Sequence, residues 1–211
     1  MNAGTGYRLG KRAVTRDRTR QRIVAAAEDL YLGRWYDDVS LREVAASADV
    51  ALQTVVNHFG SKGGLLAAVA EQVGARIDRR RDEVAAGDVR GGVAALVDEY
   101  ERIGDGIVRM IALEGRVEEL APLLGFGRAV HRSWVERVFA AWLPAAPAPE
   151  RERRTVMLIA ATDVLTWKIL RREQGLGRDE AEAAMRESVQ ALLDRFAVAG
   201  GPSGPDGGGP G

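Results

Sequence analysis

Residues 40–62, SLREVAASADVALQTVVNHFGSK, read as two short helices joined by a tight turn. Ser40 followed three residues later by Glu43 is a capping box: the hydroxyl accepts from the Glu43 amide while the carboxylate accepts from the Ser40 amide. A helix is therefore expected to begin at Leu41. Leu41, Val44, Ala45 and Ala48 recur at helical spacing, and Asp49 stands where the chain must turn, because a short polar side chain tolerates the left-handed conformation. Val50 restarts the apolar pattern. Leu52, Val55, Val56 and Phe59 then give one face of a second short helix and leave Gln53, Thr54, Asn57 and His58 on the other. Gly60 ends that helix and Ser61 caps a third, with Lys62 in a first turn whose free amides already favour a phosphate.

This is the pattern of a helix-turn-helix with a polar face on its second helix. Gln53 and Asn57 can each present a donor and an acceptor side by side to adenine, whereas Thr54 and His58 are of the type that more often holds phosphate. Arg42 and Lys62 complete the DNA-facing set, with Lys62 the foremost phosphate candidate.

Working outward, Ile23, Ala26, Ala27, Leu30 and Tyr31 make the apolar face of a preceding helix from about Arg16, which braces the reading unit, while Arg18, Arg20 and Arg22 stand elsewhere on it. Residues 1–15, with Arg8, Lys11 and Arg12 among few apolar groups, are expected to form a flexible basic arm, either a solvated tail or a DNA-contacting one. Beyond Lys62, Leu65, Leu66, Val69, Val73 and Ile77 continue one long helix that should link two domains, 16–62 and 63–198. Gly87, Gly91 and Gly92 mark a break before a helix through Val93 and Ile103. Gly104 and Gly106 allow an interruption in it, and Pro122 and Gly125 to Gly127 punctuate again before an aromatic helix from Val130 to Leu143. Pro144 to Pro149 reads as an extended linker, and helices through Val156 to Leu170 and from Gly177 to Phe196 follow. The tail, residues 199–211, is Gly/Pro rich and expected to be disordered. The expected fold class is all-α.

Composition removes several classes of function. The 211 residues are 46% hydrophobic, enough for a sizeable core, and the formal net charge is zero. Residues 1–62 carry 10 Lys or Arg against 7 Asp or Glu, and the remainder 20 against 23, so the N-terminal part is mildly basic. With a pI near 6.8, affinity for nucleic acid would have to come from specific docking rather than bulk charge. There is no cysteine, which excludes thiol nucleophiles, disulfides and cysteine-ligated zinc. His58 and His131 are the only neutral-pH bases, and no glycine loop follows a strand, so no catalysis and no cofactor are expected. No run approaches the roughly 18 to 20 apolar residues of a membrane span, and a cytoplasmic protein is expected.

The segment from about Arg16 to about Leu66 resembles the DNA-binding domain of the TetR family of bacterial transcription regulators. Ile23 to Leu30, Trp35-Tyr36-Asp37, Ser40, Val44-Ala45, Val50, Thr54, His58-Phe59, Ser61-Lys62 and Leu65-Leu66 carry the resemblance, over roughly a quarter of the chain. It departs from the family pattern where Asp49 replaces a turn glycine, Ala51 a capping Ser or Thr, Val56 a tyrosine, and Gly63-Gly64 stands where a Glu is common. Loss of the side-chain cap at Ala51 costs roughly 0.5 to 2 kcal/mol. The resemblance implies a homodimer on a near-palindromic double-stranded DNA operator, most often a repressor, released by a small-molecule effector.

The last two long helices carry apolar stripes that suit a pairing surface, with Ile159, Leu170, Met185, Val189, Leu192 and Phe196 as its candidates. Polar groups on apolar faces point to a ligand pocket, with Arg109, Met110, Leu113, His131, Trp134, Asp163 and Trp167 as its candidate lining. Asp163 is the sharpest case, because a carboxylate on a buried stripe needs a partner. An architectural DNA-binding protein without a ligand, or a helical enzyme, are the alternatives.

Overall fold

The computed structural model describes residues 3–143 and 148–199, and every regular element among them is helical. The α-helices are α1 (Ala3–Gly33), α2 (Leu41–Ser47), α3 (Leu52–Phe59), α4 (Lys62–Asp82), α5 (Val89–Leu113), α6 (Leu120–Val138), α7 (Ala148–Thr162), α8 (Val164–Lys168) and α9 (Arg178–Ala199). A short 3₁₀ turn, Ala140–Trp142, follows α6, and a π turn, Ile169–Glu173, follows α8. α1 starts well before Arg16, over residues expected to form the basic arm; no proline stands between residues 3 and 15 to stop a helix there. The prolines at 144 and 147 and the Gly/Pro tail beyond Ala199 lie outside the described residues.

The chain divides into two compact units. One runs to Asp82 and includes Glu99–Arg128; the other comprises Glu83–Asp98 and the chain from Ala129. The first is built on a core in which Ile23, Val24, Ala27 and Tyr31 of α1 meet Val44 and Ala45 of α2, Val55 of α3 and Leu65, Leu66 and Val69 of α4. Met110, Leu113, Leu120 and Leu124 belong to the same buried cluster. α4, expected to link two domains, lies wholly in this unit, and its last turn is fixed by a buried ion pair. Arg81 donates through Nε and Nη2 to the two carboxylate oxygens of Glu99 on α5, at 3.0 and 2.8 Å, with both side chains under 10% exposed.

The second unit buries Trp134, Val135, Val138 and Phe139 of α6, Leu158 of α7, Val164 and Trp167 of α8, and Met185, Val189, Leu193 and Phe196 of α9. Trp134 meets Phe139 edge-on at 6.0 Å, and the buried guanidinium of Arg154 lies 4.9 Å from the Phe196 ring while pairing with Glu150.

Glycine and proline mark helix ends only in part: Gly60 follows α3 and Gly87 lies between α4 and α5, both at positive φ. α5 runs unbroken through Gly91 and Gly92, because Asp88 accepts the Gly91 amide at 2.8 Å and caps its start, and unbroken through Gly104 and Gly106. Gly106 is a close approach rather than a hinge: a Cβ there would meet Leu32 at 2.7 Å. Pro122 sits in the first turn of α6, where a missing amide does no harm, so the helix expected to start at Val130 starts ten residues earlier and ends at Val138. Conversely, the helix expected to run from Val156 to Leu170 is broken at Asp163.

Two stability changes follow. Ala51, at the N-cap of α3 with φ −69° and ψ 145°, already has cap geometry but makes no side-chain bond. Ala51→Ser should raise stability by about 0.5 to 2 kcal/mol in urea unfolding, and a loss would mean that the hydroxyl cannot reach the α3 amides. Glu99→Ala strands the Arg81 guanidinium and should lower stability by about 3 to 5 kcal/mol in the same assay; a change under about 1 kcal/mol would show that the pair is solvated.

Candidate DNA-reading unit

The capping box at the start of α2 forms as its spacing dictates: the Glu43 amide donates to Ser40 Oγ at 3.2 Å and the Ser40 amide to Glu43 Oε2 at 2.8 Å. Arg34, just beyond α1, adds a 2.8 Å bond to Glu43 Oε1 and a 3.2 Å bond to the Asp38 carbonyl. Hydrogen bonds from Arg34 and then Ser40 hold the Glu43 carboxyl down to about 2. A carboxyl depressed in the fold stabilises it above the ordinary carboxylate range, and that contribution fades as pH falls toward 2.

The turn after α2 takes the expected left-handed residue, with Asp49 at φ +51°. Its carbonyls are held by a side chain that spacing did not identify: Arg22 Nη2 donates to Ala48 O at 2.9 Å and to Asp49 O at 3.0 Å, tying α1 to the turn. Arg22 and Arg34 each satisfy backbone carbonyls that no helix ladder reaches. The polar face of α1 gave no signal of this, since every arginine on it looks alike in sequence.

α3 buries Val55 completely and presents Gln53 and Asn57 to solvent. Gln53 Nε2 donates to Asn57 Oδ1 at 2.9 Å, so the two amides stand one helical turn apart as a pre-oriented pair. Thr54 and His58 are half-buried beside them, and Arg42 on α2 is exposed. Gly60, at φ +72°, ends the helix, and Ser61 Oγ accepts the Gly64 amide at 3.1 Å to start α4.

Lys62 departs from its expected part. Its ammonium donates to the Tyr36 carbonyl, reaches the Asp37 carbonyl at 3.5 Å and lies 4.1 Å from the centre of the Tyr36 ring. Burial pulls its pKa below the ordinary lysine value. Lys62 is therefore an anchor for the α1–α2 loop before it is a phosphate ligand. Tyr36 packs edge-on to Tyr31 at 5.0 Å, and burial, with Glu119 nearby, pushes the Tyr36 phenol up to about 12.

The seven residues expected to line one ligand pocket fall in both units. In the first, Met110 and Leu113 are core beneath the reading helices, and Arg109 donates to the Leu32 carbonyl. All three serve the end of α5 in packing. In the second, His131 is buried, stacks on Trp134 at 5.9 Å and bonds Thr162 Oγ1 through Nε2 at 3.0 Å. Trp167 is fully buried with Arg172 over its ring at 4.7 Å. Asp163 is the N-cap of α8, its Oδ1 accepting the Leu165 amide at 2.8 Å. Periodicity carried through Thr162 hid the helix break that makes this carboxylate a cap.

The expected pairing residues also divide. Met185, Val189 and Phe196 are at most 2% exposed within a single chain and so belong to its core, while Ile159, Leu170 and Leu192 are half-buried. The large apolar side chains left in solvent on this part of the chain are Val156, Leu165 and Ile169.

Residues 23–69 match the family of bacterial regulatory proteins known as the tetR family. Among solved structures, a transcriptional regulator from Rhodococcus sp. Rha1 is similar, with a TM-score of 0.66 at 21% identity, over 83% of this chain and 96% of that one. A TetR-family transcriptional regulator from Streptomyces coelicolor gives a TM-score of 0.66 at 19% identity, over 88% and 94%. The multidrug binding protein EbrR, complexed with imidazole, gives 0.58 at 20% identity, over 82% and 88%. No curated protein matches the chain. With the helix-turn-helix built and capped as described, residues 23–69 carry the DNA-binding domain of the tetR family of bacterial regulatory proteins, and the chain shares the fold of these solved regulators along most of its length.

Proposed function

We propose that this regulator is a homodimeric repressor that reads a near-palindromic operator through α3 and releases it when a small, largely apolar molecule binds. The observation that carries the reading is the exposed pair Gln53 and Asn57, bonded side by side on a short helix whose other face is locked by Val55. Two such helices related by a two-fold axis would enter major grooves about one helical turn, or a multiple, apart. Arg42, Thr54 and His58 flank the amides as phosphate contacts, and Lys62 sets the loop beside them. The domains at work are then a reading head from Arg16 to about Lys62 and a regulatory and dimerising remainder to residue 198. The operator places the protein in the cytoplasm.

Dimerisation is assigned to the outer face of α7, α8 and the π turn. Val156, Leu165 and Ile169 are 43 to 49% exposed there, with Ile159 and Leu170 half-buried alongside and Leu192 contributed by α9. Apolar side chains of that size left in water along consecutive helical segments favour a partner surface. Effector response is supported by the family and by a neighbour that binds multiple drugs. Trp134, Trp142 and Trp167 remain its optical reporters.

Gln53→Ala and Asn57→Ala should each relax base preference at one or two positions per half-site, at about 1 to 3 kcal/mol per lost bidentate contact. Lys62→Ala should weaken all sequences alike; a salt slope reduced by about one unit per subunit would make it a phosphate contact as well, and an unchanged slope a loop anchor alone. Fluorescence anisotropy on selected operators at several salt concentrations reads both. Equal loss of specificity from all three variants would contradict the assignment.

Leu165→Glu combined with Ile169→Glu should convert a dimer to a monomer in sedimentation and abolish cooperative operator binding. A dimer that survives both charges would move the interface elsewhere.

A further inference from the structure

Within the unit that carries the reading head, α4 and the start of α6 enclose an open groove of about 560 Å³. Ala67, Ala70 and Gly74 line it from α4; Pro122, Leu123 and Phe126 line it from α6. None of the residues that sequence reading offered as a ligand lining belongs to it. Its surface is mainly apolar, and Phe126 is 65% exposed, the most exposed large apolar side chain among the described residues.

The charged side chains of this lining are all acidic: Glu71, Asp78 and Glu119. No lysine or arginine lies among them. Arg20 approaches Glu71 only to 3.8 Å with both groups largely in solvent, a contact that neutralises little. Three carboxylates around apolar walls repel anions and offer a neutral molecule nothing that plain apolar surface would not. They attract a cation, and the free face of an aromatic ring adds to that attraction. The volume falls in the ~300 to 1,000 Å³ range of small-molecule sites.

The geometry points to this groove as the effector site, taking an organic monocation with an apolar body. Its regulatory half rests on the effector reading above. The groove reaches Gly63, where a Cβ would stand 3.0 Å from Glu119 Cγ, so the turn that leads into α6 bears directly on the first turn of α4. That turn carries Lys62 and, through it, the carbonyls of Tyr36 and Asp37. A molecule that binds more tightly to the spread groove would displace this anchor and with it the setting of α3.

The test uses the full chain and tetraphenylphosphonium as probe, by titration calorimetry and by operator anisotropy. Two variants accompany the wild type: E71Q/E119Q, which removes two charges, and G74L, which fills the groove. Nothing stands within 4 Å of a Cβ at Gly74, and leucine favours a helix, so G74L should keep its melting temperature and with it the fold. The expected result is binding to wild type, weakened about tenfold in E71Q/E119Q as two short-range charges in high dielectric imply. Binding should be absent in G74L and absent for neutral triphenylphosphine oxide, and the probe should release operator from wild type but not from G74L. No binding to wild type, or equal binding to all three proteins, overturns the site. Binding that leaves operator affinity unchanged overturns its regulatory role. If G74L turns a dimer into a monomer and leaves probe binding intact, the groove holds a second copy and the inference fails. Release of operator by another compound, undiminished in G74L, keeps the effector reading and overturns this site. A chain that binds no operator under any condition refutes that reading, while calorimetry still decides the groove.

Discussion

The reading helices of this protein cannot hold themselves up. α2 and α3 span seven and eight residues, well below the roughly 12 to 15 at which an isolated helix is even marginal in water. Their existence depends on the apolar cluster beneath them, and that cluster is not closed by α1 and α4 alone. Met110 and Leu113 at the end of α5 and Leu120 and Leu124 at the start of α6 complete it. The reading head therefore shares its core with the segment that follows it by some fifty residues. Native cores are close-packed and transmit displacement instead of absorbing it. Any shift of the α5–α6 corner must consequently be felt at Val44, Val55 and Leu65, which gives regulation a route to DNA that needs no separate relay.

Cations do unexpected duty around that core. Arg22, Arg34, Lys62 and Arg109 all donate to backbone carbonyls, at the α2–α3 turn, at the α1–α2 loop and at the end of α1. Each satisfies an acceptor that lies outside a helix ladder, and a buried carbonyl left bare would be costly. The basic excess of the N-terminal part is thus spent in part on architecture. What this leaves exposed on α3 is a pair of neutral amides, so discrimination among sequences falls to hydrogen-bond pattern, and the modest overall charge of the chain stops being an objection to DNA binding.

Local chemistry was legible from the residues; tertiary assignment was not. Ser40 with Glu43, Asp49 in the left-handed turn, Gly60 at the end of α3 and Ser61 at the start of α4 each act within four residues of themselves, and each took the form that its spacing implied. Gly106 misled because the reason for a glycine there is Leu32, more than seventy residues away. Met110, Leu113 and Met185 show apolar periodicity equally well as core, pocket wall or interface, and only packing tells which. Asp163 was recognised as a carboxylate in need of a partner, yet its partner proved to be a backbone amide two residues on, which no stripe analysis counts. The acidic groove between α4 and α6 escaped notice for the same reason as the glycine contact: its two walls lie nearly fifty residues apart in sequence.

The central claim is that α3 faces the base edges of the major groove in two symmetric copies. Because the chain contains no cysteine, Asn57→Cys supplies a unique attachment point for a short photo-crosslinker. Irradiated on an operator selected from random DNA, the labelled protein should mark two clusters of major-groove bases related by a dyad, their centres about one helical turn or a multiple apart. Crosslinks confined to the minor groove, or gathered in a single cluster without a symmetry mate, would contradict the account.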